Sequence, residues 1–326
     1  MKNLFSFIHF KKLIVSLSLL LAALPVVFSQ PQSVNTALKN SPTVTIQGTE
    51  SGTPTPIDIN INNNGIHLAG KLYVSEGSGT FPIIILLHGF PGNETDVIGM
   101  GKKLIEAGFN TLTFNYSGTF KSDGKFNFPN AQKDIEAAYN FIRQPGNIAR
   151  FNIDTSRIIL GGYSYGGGMA LTYAANHPEV KEVFSLSGND HGEFIRNYQR
   201  DTLLKKNIDA FFDKFKSDTE IVRFAPGGIP KEFLEMKIIE SNPIFDLKFC
   251  APFLAHKNIL LIGGWDDMNV PIEGIVLPLY RELRKAKASN VKICAVQDNH
   301  SFIKSRDELV QIITGWIKSN GEKEKS

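Results

Sequence analysis

Ile57-Asp58-Ile59-Asn60-Ile61 alternates apolar and polar residues with a period of two, and Asn62-Asn63-Asn64-Gly65 follows it as a turn signal. Ile66 to Val74 then returns, so the pair predicts an antiparallel hairpin at the entry to a sheet. From Phe81 the rhythm changes. Ile83-Ile84-Ile85-Leu86-Leu87 is continuously apolar, the pattern of a strand covered on both faces. Further strands are predicted over Asn110 to Phe114, Arg157 to Gly161, Val180 to Leu186, Asn258 to Ile262 and Val291 to Val296. Helices are predicted over Gly92 to Ala107, Asn130 to Arg143, Glu273 to Lys287 and Ser305 to Lys318. In the second of these, Ile135, Ala138, Tyr139 and Ile142 share one face. Strands alternating with helices imply a mostly parallel central sheet, right-handed crossovers and helices on both faces.

One interval breaks that alternation. Asn189 to Phe249 is far longer than an ordinary crossover. It holds two helical stretches, Leu203 to Phe215 and Lys231 to Ile239, separated by Ala225-Pro226-Gly227-Gly228-Ile229-Pro230. Residues 189–249 are therefore expected to form a helical lid over the carboxyl edge of the sheet. Its phenylalanines 211, 212, 215, 224 and 233 suit either an apolar acyl pocket or the packing of the lid itself.

The first residues read differently. Met1 to Ser29 has lysines, then an apolar run from Leu13 to Val27, then small residues at a cleavage site, as in a secretory leader. The competing reading is an uncleaved anchor. That run is short for a membrane span, and the leader lacks the cysteine a lipoprotein needs. Residues 30–56 form a spacer rich in Gln, Pro, Ser, Thr and Asn, and residues 57–320 remain for the folded domain. An exported protein, periplasmic or secreted, is the expectation, without a stable membrane span after cleavage.

Composition narrows the function classes. The net charge of +3 equals the contribution of Lys2, Lys11 and Lys12 in the leader, so the rest is close to neutral. Nothing in that balance points to nucleic acid. Cys250 and Cys294 are the two cysteines, read here as free thiols rather than a bridge. No metal or organic cofactor is implied.

Candidate chemistry begins at Gly162-Tyr163-Ser164-Tyr165-Gly166, a G-x-S-x-G between a predicted strand and a small-residue helix. A sharp strand-to-helix corner puts its middle residue in strained backbone and needs glycines two positions either side. It also lifts a serine hydroxyl to a helix N-terminus. A serine is a weak nucleophile alone; it needs a base, and the base needs a carboxylate. The order Ser, acid, His then assigns the partners. The acid is Asp267 in Gly264-Trp265-Asp266-Asp267-Met268-Asn269-Val270-Pro271, chosen over Asp266 and over Asp190, which also follows a strand. The base is His300, just after the last strand. His9, His67, His177, His191 and His256 lie elsewhere along the chain. A developing oxyanion needs N–H donors, expected from the backbone of Tyr165 and of Phe90 in His88-Gly89-Phe90-Pro91-Gly92. His88 is read as a structural hydrogen-bonder.

These pieces, with Asn115-Tyr116-Ser117-Gly118 and Asp154 near Arg157-Ile158, resemble the α/β-hydrolase superfamily. Within it they are similar to the prolyl-oligopeptidase-like and dipeptidyl-aminopeptidase/acylaminoacyl-peptidase-like hydrolases. The resemblance runs from about Phe81 onward and implies a serine hydrolase acting on a carboxylic ester or an amide. Two departures tilt the expectation toward small esters over short peptides. A spacer and two strands stand where the oligopeptidases carry a propeller, and Ser117 replaces a frequent arginine. A binding module on the same fold is the reading from another class.

Overall fold

A computed structural model of the chain describes residues 55–95 and 97–323, so the predicted leader and nearly all of the spacer lie outside the described residues. Eight strands form one sheet in the order β1-β2-β4-β3-β5-β6-β7-β8. They are β1 (Ile57–Asn63), β2 (Ile66–Tyr73), β3 (Phe81–Leu87), β4 (Asn110–Phe114), β5 (Ile153–Tyr163), β6 (Glu182–Leu186), β7 (Asn258–Gly264) and β8 (Val291–Val296). β2 runs antiparallel to both neighbours and the remaining pairs are parallel. The hairpin turns at Asn64 and Gly65, both with positive φ (51° and 89°), as an Asn-Gly turn between twisted strands requires.

β3 shows why the sheet is central. Ile83, Ile85 and Leu87 enter one core, and Ile84 and Leu86 enter another on the opposite face. The first core takes in α2 (Phe128–Arg143) and α4 (Tyr165–Asn176), with α3 (Pro145–Phe151) contributing Phe151. The second is closed by α1 (Met100–Glu106) and α11 (Arg306–Lys323) through Leu104, Leu309 and Ile313. Burial on both faces explains the unbroken apolar run.

Three predicted helices change extent. The stretch from Gly92 is helical only from Met100, because Ile98 and Gly99 turn through positive φ (49° and 70°). Beyond β7, Ile272–Val276 is a π-turn leading into α10 (Leu277–Lys285). The Lys231 to Ile239 stretch is split at Lys237, also at positive φ, into α7 (Pro230–Glu235) and α8 (Ile238–Ser241).

The insertion between β6 and β7 is α5 (His191–Arg200), α6 (Thr202–Lys216), α7, α8, a 3-10 turn at Pro243–Phe245, and α9 (Leu247–Leu254). Its two roots are tied together. Asp190 caps α5 and also accepts from the Leu247 N–H. Arg196 on α5 pairs with Asp246, and Lys248 pairs with Glu193. Its middle forms a strap on the main body: Arg223 N–H donates to the Gly118 carbonyl (2.7 Å), and Phe126 N–H donates to the Arg223 carbonyl (2.7 Å). Bridges pair Thr119 with Val222 and Phe126 with Phe224. Gly118 makes that approach feasible. Its φ is +75°, and a β-carbon there would lie 2.4 Å from the Phe126 nitrogen and 2.6 Å from the Arg223 oxygen.

Candidate active site

β5 ends at Tyr163 and α4 begins at Tyr165, leaving Ser164 alone on the corner with φ 53° and ψ −118°. Such backbone costs roughly 1–3 kcal/mol in a non-glycine residue and persists only where its surroundings enforce it. Here they do. The Ser164 N–H donates to the Leu186 carbonyl, and its own carbonyl accepts from Gly168 and Asn189. The flanking glycines leave no space for side chains: a β-carbon on Gly162 would meet the Gly166 carbonyl at 2.2 Å, and one on Gly166 would meet the Leu87 and His88 carbonyls at 2.5 Å.

Asp267 and His300 converge on that serine from two loops beyond β7 and β8. His300 Nε2 lies 3.0 Å from Ser164 Oγ, and His300 Nδ1 lies 2.8 Å from Asp267 Oδ2. An ionised carboxylate only accepts, so Nδ1 donates to it and the Nε2 lone pair faces the hydroxyl. The Asp267 side chain is fully buried, whereas the His300 side chain keeps some exposure. Burial pushes the Asp267 carboxyl up, but the groups around it, led by the His300 ring, outweigh that and hold it below the usual carboxylate range. The group stays ionised where it meets the imidazole.

The rival acids are placed elsewhere. Asp266 is exposed and accepts from Gln297. Asp190 caps α5, and burial raises its carboxyl to about 6. Among the other histidines, His177 ends α4 and stacks on Tyr173. His191 is enclosed between the rings of Tyr165 and Phe128, and burial lowers it to about 3. His88 is buried, donates from Nδ1 to the Gly89 carbonyl and is pushed down to about 4, which keeps it neutral.

The loop bearing Phe90 lies against the serine: a β-carbon on Gly89 would be 3.2 Å from Ser164 Cβ. Its ends are held by the N-Y-S-G stretch. Tyr116 donates its hydroxyl to the His88 carbonyl (3.2 Å), and Asn115 accepts from the Glu94 N–H (2.8 Å). Ser117 donates through both its N–H and its hydroxyl to Asp134. Asp134 also accepts from Asn63 on the hairpin, and burial raises its carboxyl to about 6. Among the described residues, no protein acceptor meets the N–H of Phe90 or of Tyr165.

Sequence reasoning missed the parts that hold His300 in place. Tyr163 donates its hydroxyl to the His300 carbonyl (2.9 Å). Asp298 accepts from the N–H groups of Asn299, Lys304 and Ser305, folding the His300 loop into the start of α11. The Asp two positions before the histidine was the visible signal. Of the two roles open to the lid phenylalanines, Phe233 takes the packing one. It is fully buried, packed on Phe128 and Phe245, and belongs to the core rather than to an acyl pocket. Phe212, Phe215 and Phe224 remain half-buried beside Phe90. Both cysteines are free. Among the described residues, no cluster of ligands suited to a metal occurs, and no helix is long and apolar enough to cross a membrane.

The family model described as the alpha/beta hydrolase fold matches residues 82–227. The chain has the α/β-hydrolase fold. It is 28% identical over 234 residues to an uncharacterized 31.7 kDa Escherichia coli protein from the traX-finO intergenic region, covering 63% of this chain and 79% of that one. It is 26% identical over 120 residues to Cutinase 1 of Thermobifida cellulosilytica, covering 36% of this chain and 44% of the cutinase. The solved structure of Est1E from Butyrivibrio proteoclasticus with ferulic acid superposes with a TM-score of 0.61 at 16% identity, covering 80% of this chain and 98% of that one. Together these likenesses support a hydrolase of the α/β fold.

Proposed function

We propose that this protein is a serine hydrolase that cleaves carboxylic esters through an acyl-enzyme on Ser164. The observation that carries the reading is the chain of contacts from Ser164 Oγ to His300 Nε2 (3.0 Å) and from His300 Nδ1 to Asp267 (2.8 Å). The Ser164 oxygen attacks the ester carbonyl as its proton passes to His300 Nε2. The resulting oxyanion is held by the N–H groups of Phe90 and Tyr165, both without a protein acceptor among the described residues. The tetrahedral adduct collapses, His300 returns the proton to the departing alkoxide, and the alcohol leaves. Water repeats the sequence on the acyl-enzyme, releasing the acid and restoring the serine. Asp267 keeps its negative charge throughout and stabilises the imidazolium.

The cutinase likeness supports ester over amide. The sequence resemblance to acylaminoacyl-peptidase-like enzymes keeps amide cleavage as the second reading, and greater turnover of aminoacyl-naphthylamides than of matched esters would establish it. Export of the enzyme through residues 1–29 belongs to the same proposal, and recovery of the full-length protein from the periplasm or medium tests it. Wild type and Ser164→Ala compared on short p-nitrophenyl esters test the hydrolase reading. A loss of several powers of ten is expected, and equal rates remove Ser164 from the role.

A further inference from the structure

We propose that Phe212 on α6 is a positioning residue for the oxyanion site: the insertion acts as a fixed template that sets the Phe90 backbone through stacked rings. The inference rests on the ester-hydrolase reading and adds to it a role for the insertion in the chemical step.

The loop from His88 to Glu94 is bonded at both ends, at the His88 carbonyl and at the Glu94 N–H. Between those anchors Gly92 N–H donates back to the Gly89 carbonyl, closing a tight turn. Phe90 sits in that turn, and rings surround its side chain. Phe212 stacks on it at 5.6 Å with 16° between planes, Phe215 meets it edge-on at 6.0 Å, and Phe126, Phe224 and Tyr165 complete the shell. Three of those five rings belong to the insertion.

α6 is held at both ends. Asp201 caps its start through the Leu203 and Leu204 N–H groups, next to the ion-paired root formed by Glu193, Arg196, Asp246 and Lys248. Its far end leads into the strap at Val222 to Ala225, where Arg223 also donates to the Phe120 and Ser122 carbonyls. Ile208, Phe212 and Phe215 recur at helical spacing and turn one face inward, with Phe211 packed against the last two. A helix fixed at both ends presents Phe212 at a defined place, and ring stacking transmits that place to Phe90. An N–H donor serves an oxyanion only if it is oriented before the charge develops.

The test uses full-length Phe212→Ala, Phe212→Leu and Phe212→Tyr with p-nitrophenyl acetate, whose acetyl group is small, and a small alkyl boronic acid, which forms a charged tetrahedral adduct. Phe212→Ala is expected to lower kcat tenfold or more while KM changes less than threefold, and to weaken the boronic acid by a similar factor. Phe212→Tyr keeps a stacking ring and should stay within threefold of wild type, with Phe212→Leu between the two. An unchanged kcat in folded Phe212→Ala, or a lowered kcat with undiminished boronic acid affinity, overturns the inference. So does a loss across the three variants that follows melting temperature rather than the ring. Ser164→Ala run in parallel separates the failures. If it retains turnover the hydrolase reading falls, whereas an inactive Ser164→Ala beside an undisturbed Phe212→Ala removes only the role of Phe212.

Discussion

The hydroxyl of Tyr163 donates to the backbone carbonyl of His300 across 2.9 Å, so the residue just before Ser164 also holds the loop that carries His300. The two rings lie 5.1 Å apart. Removing the hydroxyl in Tyr163→Phe should loosen His300 without disturbing Asp267. We expect kcat to fall about threefold to tenfold, in line with about 1 kcal/mol for one hydrogen bond, with little change in KM. Steady-state kinetics on one ester, beside a melting curve, checks it.

The choice among the three aspartates has a clear kinetic signature. Asp267→Asn leaves the shape of the site but removes the charge that fixes the His300 tautomer, and kcat should drop by roughly 10³–10⁴. Asp266→Asn, whose exposed side chain accepts from Gln297, should stay within about twofold. Asp190→Asn keeps a capping side chain at the start of α5 and should hold both stability and kcat close to wild type. A large kcat loss in Asp190→Asn with an active Asp267→Asn would reverse the assignment.

Much of this was legible from residue pattern alone. β3 and β8 fall where their apolar runs predict them, the Asn64-Gly65 turn needs its positive φ, and the order Ser164, Asp267, His300 follows the elbow. What the pattern did not reveal depends on contacts between distant segments. α5 carries His191, Ile195 and Tyr198 on one buried face, yet its short, highly charged sequence drew no helix assignment. The strap at Arg223 has no local signal, because its bonds go to residues about a hundred positions earlier. The reason for Gly118 appears only once that strap is seen against it.

Gly118→Ala should therefore destabilise the protein by several kcal/mol. It adds a β-carbon at positive φ, 2.4 Å from one backbone nitrogen and 2.6 Å from a backbone oxygen of the strap. Chemical denaturation measures the loss. Gly146→Ala, where a β-carbon meets open space, is the control expected to be near neutral.

Acid stability carries a contribution from His191. Burial lowers it from 6.5 to about 3, so between those values the unfolded chain binds a proton that the folded one refuses. Its contribution is complete above pH 6.5 and is lost as pH falls toward 3. Replacing the ring in His191→Met should flatten the fall in unfolding free energy over that window by up to about 1.4 kcal/mol per pH unit. Urea titrations of both proteins from pH 7 to pH 4 test this. An unchanged slope would mean that the ring is protonated in the fold.

The most direct measurement is intact mass and peptide mapping after treatment with a fluorophosphonate. The account predicts one equivalent attached to the peptide bearing Ser164, loss of esterase activity in step with labelling, and no adduct on Ser164→Ala. Full labelling elsewhere, or undiminished ester turnover once Ser164 is blocked, would contradict it.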